Sequence, residues 1–301
     1  MIGIDWGTTS FRAYRLRGRA VLDRVALPLG ILSVAAGGFP RALEDAVAPW
    51  LADGERRILM SGMVGSRQGW VEAPYLPCPA ATADLARALL PVPFGPAEVL
   101  LVPGLSAADS AGVPEVMRGE EVQILGALGA ASGDTPGDVT ICLPGSHSKW
   151  ARVAGGRVEG FSTHLTGEAF AALRGHTILG RLMQADAPPD PEAFRHGLLR
   201  SADPGGLLHH LFGVRTLGLF DRLPETAASS FLSGLLIGHE VSAALEGAAM
   251  AGPALVRLVG SGPLMALYGR AIALKGGEAV PGDPDAAARG LALIGERIQW
   301  A

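Results

Sequence analysis

The chain has 301 residues, 25 Lys and Arg against 29 Asp and Glu for a formal charge of −4, and 49% hydrophobic against 18% charged residues. That length buries a substantial core, in one large domain or two lobes. The mild negative charge without a Lys/Arg cluster argues against a nucleic-acid partner, and no apolar run reaches the roughly 18 residues of a membrane span.

The 42 glycines and 22 prolines are scattered among periodic segments, so no low-complexity tail is expected. Cys78 and Cys142 are too far apart in sequence for metal-ligand spacing and too few for a disulfide framework. Cys142, inside the apolar run Val139–Leu143, reads as a core residue. The start of the chain lacks a basic region followed by an apolar core and cleavage site, and the expectation is a cytoplasmic protein with a small-molecule partner. Nothing in the sequence sets an oligomeric state.

Met1 to Leu16 predicts a β-hairpin with a polar tip. An apolar strand (Met1, Ile2, Ile4) runs into Asp5, then a Gly7-Thr8-Thr9 turn, then a second strand through Phe11 and Ala13. Gly7 lets backbone N–H groups approach a ligand, Thr8 and Thr9 add hydroxyl donors, and Asp5 is placed to face a hydrated cation. Arg12, just past the tip, suits a bidentate phosphate contact. Phosphate plus metal is the natural guest; the competing reading is an ordinary β-turn, for which Gly and hydroxyl residues are equally suited.

A turn at Gly18-Arg19-Ala20 leads to a third strand, Val21 to Leu27. Leu43, Ala46, Val47, Trp50 and Leu51 then mark one face of a helix over Phe39 to Leu51. A strand Arg57–Ser61, a helix from Thr82 to Leu90 and a strand Val99–Val102 complete a β-β-β-α-β-α-β order, which implies a mixed sheet covered by helices.

The second half begins the same way. With a shift of 138 residues, Gly7, Ser10, Ala13, Gly18 and Arg19 fall on Gly145, Ser148, Ala151, Gly156 and Arg157. Val139–Leu143 takes the place of the first strand, Pro144–Ser148 the tip, Trp150–Val153 the second strand and Arg157–Phe161 the third. Chance matches in a Gly-rich chain are the alternative to a duplicated lobe. Duplication would set two phosphate-grasping hairpins face to face across a cleft.

From Leu165 the chain is largely helical: Gly167 to Leu173, a stretch around Leu198 to Phe212, and a long helix from Thr226 to Met250 in which His239 reads as packed or capping. A strand, Leu255 to Val259, meets Gly260-Ser261-Gly262-Pro263 before a helix Leu264–Leu274. That Gly-rich turn is either a place for a ligand to approach backbone or a tight connection. Asp283-Pro284 suits the start of a last helix reaching Ile298.

Together these pieces resemble the sugar kinases of the actin-like ATPase fold. Asp5–Arg12 is similar to that family's first phosphate motif, Pro144–Trp150 falls where the second belongs, and Gly260, Ser261 and Gly262 where the adenosine motif belongs. More narrowly, Ser61–Tyr75, Met117–Gly126, Leu143–Trp150 and Leu165–Glu168 resemble the 2-dehydro-3-deoxygalactonokinases. The resemblance implies an α/β, two-lobed actin-like ATPase (ribonuclease H-like) fold with nucleotide in the interlobe cleft. Each lobe would be a mixed sheet flanked by helices, at 1–115 and 116–301. It further implies ATP-dependent, Mg²⁺-assisted phosphorylation of the terminal hydroxyl of 2-dehydro-3-deoxy-D-galactonate, with lobe closure excluding water.

On that resemblance Asp5 organises the metal. Gly7, Thr8, Thr9 and Arg12 on one side, and Gly145, Ser146, His147 and Ser148 on the other, hold phosphate. Glu120 or Glu121, at the head of a helix Glu120–Leu128, is the candidate base; a helix start also favours carboxylates for capping and dipole reasons. Arg67 suits the substrate carboxylate, with Gln68, Trp70 and Glu72 offering hydrogen bonds and an apolar wall. His147 and Lys149 either touch phosphate or substrate carboxylate or brace their turn, and Arg118 is a further electrostatic candidate. A kinase for another sugar acid and a nucleotide-switch ATPase without a small acceptor are the alternatives.

Overall fold

The computed structural model describes residues 1–128, 138–247, 255–260 and 262–300. The chain groups into two compact units: Met1–Val139 with Ala151–Phe161 and Gly282–Ala301, and Thr140–Trp150 with Ser162–Pro281. Residues 116–139, 151–161 and 282–301, which the lobe boundary at 115/116 assigns to the C-terminal lobe, group with the first unit. Among the described residues no helix is long and apolar enough to cross a membrane.

The first unit begins with β1 (Ile2–Trp6), β2 (Phe11–Arg17), β3 (Ala20–Leu27), α1 (Phe39–Ala52) and β4 (Arg57–Ser61). It continues with β5 (Tyr75–Pro77), α2 (Thr82–Arg87), β6 (Leu90–Val92), β7 (Glu98–Leu101), β8 (Gly104–Ala108), β9 (Pro114–Met117) and α3 (Glu120–Leu128). Six strands form a sheet in the order β3-β2-β1-β4-β7-β6, and β5-β8-β9 form a small one. β1 pairs antiparallel with β2 and parallel with β4. Ile2, Ile4 and Trp6 are fully buried, as expected of a strand covered on both faces. Trp6 is locked by edge contacts to Phe11 and Phe39 and by its indole N–H, which donates to Leu29 O at 2.7 Å.

The chain continues with β10 (Val139–Leu143), β11 (Ser148–Ala154) and β12 (Arg157–His164), of which Thr140–Trp150 and Ser162–His164 group with the second unit and Ala151–Phe161 with the first. After these come α4 (Thr166–His176), α5 (Pro191–Arg200), α6 (Gly206–Leu219), α7 (Glu225–Gly247), β13 (Leu255–Leu258), α8 (Pro263–Leu274) and β14 (Glu278–Pro281). The sheet order is β12-β11-β10-β13-β14, with β10 parallel to β13 and β13 parallel to β14. The last helix, α9 (Ala286–Gly295), returns to the first unit.

The two main sheets therefore repeat one plan: a meander whose first strand pairs parallel with a strand arriving later. Each limit of β1, β2 and β3 recurs 137 residues on, in β10, β11 and β12. That is one less than the 138 suggested by the matching identities. Gly7 and Gly145 thus sit one position apart in their turns, and Arg12 corresponds to Lys149.

Several expected elements end elsewhere. The helix from Thr82 stops at Arg87, because Leu90 precedes Pro91 and enters the short strand β6. The stretch around Leu198 to Phe212 is two helices, interrupted at Pro204-Gly205. Helix α9 starts at Ala286; Asp283 instead holds the preceding turn, its Oδ1 accepting from Asp285 N at 2.8 Å. The predicted end of α7 at Met250 lies outside the described residues. Cys142 is fully buried, and His239 packs against His210, the ring nitrogens 3.0 Å apart.

Helix α3 reaches its place through two glycines at its crossing with α9. A methyl group on Gly126 would collide with the carbonyl of Ala286, and one on Gly290 with the carbonyl of Val122. Gly126→Ala or Gly290→Ala should lower unfolding free energy by about 1–3 kcal/mol, the usual cost of overpacking. Gly95→Ala, where a methyl group meets open space, should leave the urea midpoint unchanged; equal effects at all three positions would contradict the crossing.

Candidate functional site

The first turn stands at the end of buried β1. Thr8, Thr9 and Arg12 are exposed, while Asp5 is 12% exposed, with Oδ2 3.6 Å from Arg12 Nη1. Gly7 N donates to Ser10 O at 2.8 Å and closes the turn. Residues 29–32 strap it from outside: Ile31 N donates to Gly7 O at 3.0 Å and Leu32 N to Thr8 O at 3.3 Å. Gly30 lies so close that a side chain there would collide with the backbone of Thr8 and Thr9. No sequence pattern pointed to Gly30, since its role is a contact between segments and not a periodicity.

Burial pushes the Asp5 carboxyl up to about 6; Arg12 pulls it down, and the charge of Glu120 raises it. Asp5 and Glu120 therefore share one electrostatic neighbourhood. Among the described residues no cluster of three or more His, Cys, Asp or Glu is arranged as a ready-made metal cage. A buried carboxylate short of compensating charge, with a second acid near it, fits a hard cation that takes one or two carboxylates and fills its shell with water and phosphate.

The two candidate bases separate sharply. Glu121 is fully buried: Oε2 accepts from Gly119 N at 2.7 Å and Oε1 has no hydrogen-bond partner. Burial first, then the charge of Glu120, drives its carboxyl well above the usual range. Glu120 is only partly buried, with Oε2 accepting from Arg118 N at 3.1 Å. Both acids thus turn back toward the start of α3 as capping groups, and Glu120 alone keeps a solvent-facing side. Arg118 is buried, donating to Ala73 O at 2.7 Å and lying 4.4 Å over the Tyr75 ring.

Residues 144–147 form the second turn, with Ser146 and His147 exposed. Helix α4 butts against it. Glu168 N donates to Ser146 O at 3.1 Å, Glu168 also meets the His147 ring, and a methyl group on Gly167 would collide with Gly145 and Ser146. His147 is therefore seen bracing the turn. Ser148 and Lys149 point inward, 0% and 5% exposed, and Lys149 Nζ donates to Thr163 Oγ1 at 2.9 Å. Beside the turn opens a cavity of about 500 Å³ lined by Gly145, Ser146, residues of α4, and the faces of α7 and α8. Gly260 and Gly262 both take positive φ ahead of α8, whose residues Pro263, Leu264, Leu267 and Tyr268 form one wall. Ser261 lies outside the described residues.

The predicted substrate segment is in the first unit. Arg67, Gln68 and Glu72 are exposed, and Arg67 Nε sits 3.4 Å from Glu72 Oε1. Trp70 is half-buried, stacked on Phe39 and edge-on to Phe94, so it anchors this segment to the core.

The sequence model of the 2-keto-3-deoxy-galactonokinase family matches residues 5–294. The "Probable 2-dehydro-3-deoxygalactonokinase DgoK1" of Rhizobium meliloti is 38% identical over 99% of this chain and 96% of its own. The 2-dehydro-3-deoxygalactonokinase of Escherichia coli is 34% identical over 80% and 79%. The chain belongs to the 2-keto-3-deoxy-galactonokinase family. A crystal structure of a candidate 2-dehydro-3-deoxygalactonokinase from Sinorhizobium meliloti superposes with a TM-score of 0.86 at 37% identity, covering 98% of this chain and 97% of that one. The ADPNP-bound activator of 2-hydroxyisocaproyl-CoA dehydratase from Clostridium difficile shares the fold alone, at a TM-score of 0.51 and 13% identity over 98% and 94%. The α/β actin-like fold expected from the resemblance is the fold of this family member.

Asp5 provides a direct check on the first turn. Its folded-state value lies above the ordinary 3.8, so the fold favours the protonated form, and the associated stability falls as pH rises from about 4 until it levels above about 6. The total is roughly 3 kcal/mol, of which about 1 kcal/mol separates pH 5 from pH 7.5. In metal-free urea unfolding, Asp5→Asn should gain that increment over wild type between the two pH values. A constant difference would contradict the burial argument.

Proposed function

We propose that this family member transfers the γ-phosphoryl group of ATP to the terminal hydroxyl of 2-dehydro-3-deoxy-D-galactonate, yielding ADP and the 6-phosphate. The observation that carries the reading is the repeated hairpin, ending once in Thr8, Thr9 and Arg12 and once in Gly145 and Ser146. Two such turns, rich in N–H and hydroxyl donors, are what a polyphosphate requires. An ATP-consuming reaction assigns the work to the cytoplasm.

In this assignment the cavity beside the second turn takes the nucleoside. Phe170, Leu236, Ile237, Leu264 and Leu267 offer apolar walls for a base, and Thr226, Ser229 and Ser233 line it with hydroxyls suited to a ribose. Gly260 and Gly262 set the start of the α8 wall, and Ser261 between them is a candidate for the nucleotide by resemblance. Asp5 would hold the Mg²⁺, which would neutralise developing phosphate charge. Arg12 supplies a fixed positive charge to phosphate oxygens.

Glu120 accepts the proton of the attacking hydroxyl; Glu121, fully buried and bonded to Gly119 N, keeps the α3 start in shape. Arg67 receives the substrate carboxylate. Its contact with Glu72 is between exposed groups and contributes little, so exchanging Glu72 for a ligand carboxylate costs little. Gln68 and Glu72, whose segment Trp70 holds in place, and Lys149 of β11 are the remaining polar candidates for the sugar acid.

A panel of 2-oxo-3-deoxy sugar acids with ATP and Mg²⁺ tests the reading. The galactonate-derived acid should be phosphorylated at its terminal hydroxyl, with ADP release requiring the acceptor. Glu120→Gln should lower kcat by about 10²–10⁴-fold, the usual worth of a general base, and Glu121→Gln should keep most activity. Acceptor-independent ADP release would overturn the kinase reading; the opposite ranking of the two variants would overturn the base assignment.

A further inference from the structure

A buried hydrogen-bonded chain runs from the middle of α7 to the second turn. Glu240, 4% exposed, accepts from the Trp150 indole N–H at 2.7 Å through Oε1 and from the Tyr268 hydroxyl at 2.6 Å through Oε2. Tyr268, itself 1% exposed, lies 2.8 Å from Ser148 Oγ, and Ser148 Oγ lies 3.4 Å from Gly145 N. Every member is in the second unit. Nothing in the kinase reading has yet used Glu240 or Tyr268.

The proton direction follows from what each group is able to donate. The Tyr268 hydroxyl donates to Glu240 Oε2, so the Tyr268 oxygen is left to accept. Burial, then Glu240, holds the phenol pKa above its ordinary value, which keeps that proton in place. Ser148 therefore donates to Tyr268, because its other acceptor, Gly145 O, is 3.5 Å away, and its oxygen faces the Gly145 amide. Donation passes from Gly145 N–H to Ser148, to Tyr268 and to Glu240. Both oxygens of this buried side chain are thus occupied by donors, and the chain of bonds ends at the turn assigned to phosphate. Tyr268 also lines the cavity together with Gly145 and Ser146.

We propose that Tyr268 and Glu240 are positioning residues for nucleotide binding: through Ser148 they hold the Gly145-Ser146 turn in its phosphate-accepting shape, and Ser148 contributes no hydrogen bond to phosphate. The proposal rests on the reading of that turn as a phosphate site. It revises the assignment of Ser148, whose hydroxyl proton is committed to Tyr268, and leaves the amides of the turn and the exposed Ser146 to meet phosphate oxygens.

The test is a double-mutant cycle on the full-length enzyme with Tyr268→Phe, Ser148→Ala and the pair, reading ADP affinity by calorimetry and KM for ATP and for the sugar acid separately. Each single change should weaken ADP binding and raise KM for ATP about tenfold, the equivalent of one buried hydrogen bond. The sugar-acid KM should stay unchanged, and the double variant should be no worse than either single one. Glu240→Gln, which places an amide NH₂ against one of two donors, should reproduce the ATP-specific defect.

Multiplying effects in the double variant would show that Ser148 touches phosphate independently and would overturn the relay. So would an unchanged KM for ATP in Tyr268→Phe, or equal rises for both substrates. Tyr268→Phe removes a single oxygen, and its circular dichroism and melting midpoint separate a local effect from misfolding; loss of fold in that variant would also count against a positioning role. Failure of the wild-type enzyme to bind ADP would instead sink the phosphate assignment itself, a result distinct from any pattern among the variants.

Discussion

A carboxylate held almost out of water at the end of a strand buried on both faces is the constraint around which the first unit is arranged. β1 pairs with β2 on one side and β4 on the other, so Asp5 has no freedom to move toward solvent without dismantling the sheet. Its elevated pKa measures the resulting electrostatic deficit. Only partial relief comes from Arg12, which is half exposed and 3.6 Å away. On the proposed reading, a metal–nucleotide complex would supply the missing positive charge along with ligands of its own. The straps around the turn, Ile31 to Gly7 and Leu32 to Thr8, keep its backbone donors fixed in advance of binding, which is where electrostatic catalysis gains most.

The second hairpin repeats the scaffold without repeating the charge. At the spacing of 137 residues that relates the strands, Asp5 corresponds to Cys142, a fully buried core residue. The second turn thus offers amides and hydroxyls and no carboxylate at the equivalent strand position. Its acid lies deeper, in Glu240, and acts at a distance through Tyr268 and Ser148. On the proposed reading, one turn would meet a cation and the other phosphate oxygens, so that a duplicated plan would serve two kinds of recognition.

The elements with strong periodicity were legible in the sequence: the hairpin strands, Arg57–Ser61 and Val139–Leu143 stand where their apolar spacing put them, and the helix Glu120–Leu128 stands where the resemblance put it. The small strands β5, β6, β8, β9 and β14 were not, because runs of three to five residues, four of them carrying a proline, show too little alternation to separate from loop. Adjacent Glu120 and Glu121 look alike in sequence, and only burial tells them apart. Gly30 and Gly167 act by letting distant segments touch, which leaves no local pattern; Gly167 lay within a stretch singled out by resemblance, but without a role. Glu240 was hidden in a helix that reads as apolar. What escaped sequence reasoning was therefore mostly long-range contact.

The most direct measurement is calorimetric binding of ATP with and without Mg²⁺ at pH 7.5, in wild type and Asp5→Asn. If buried negative charge at Asp5 recruits the metal–nucleotide complex, Mg²⁺ should tighten binding at least about tenfold in wild type, and the substitution should erase most of that gain, in keeping with the worth of a partly buried charge contact. An Asp5→Asn protein that gains as much from Mg²⁺ as wild type would contradict the account.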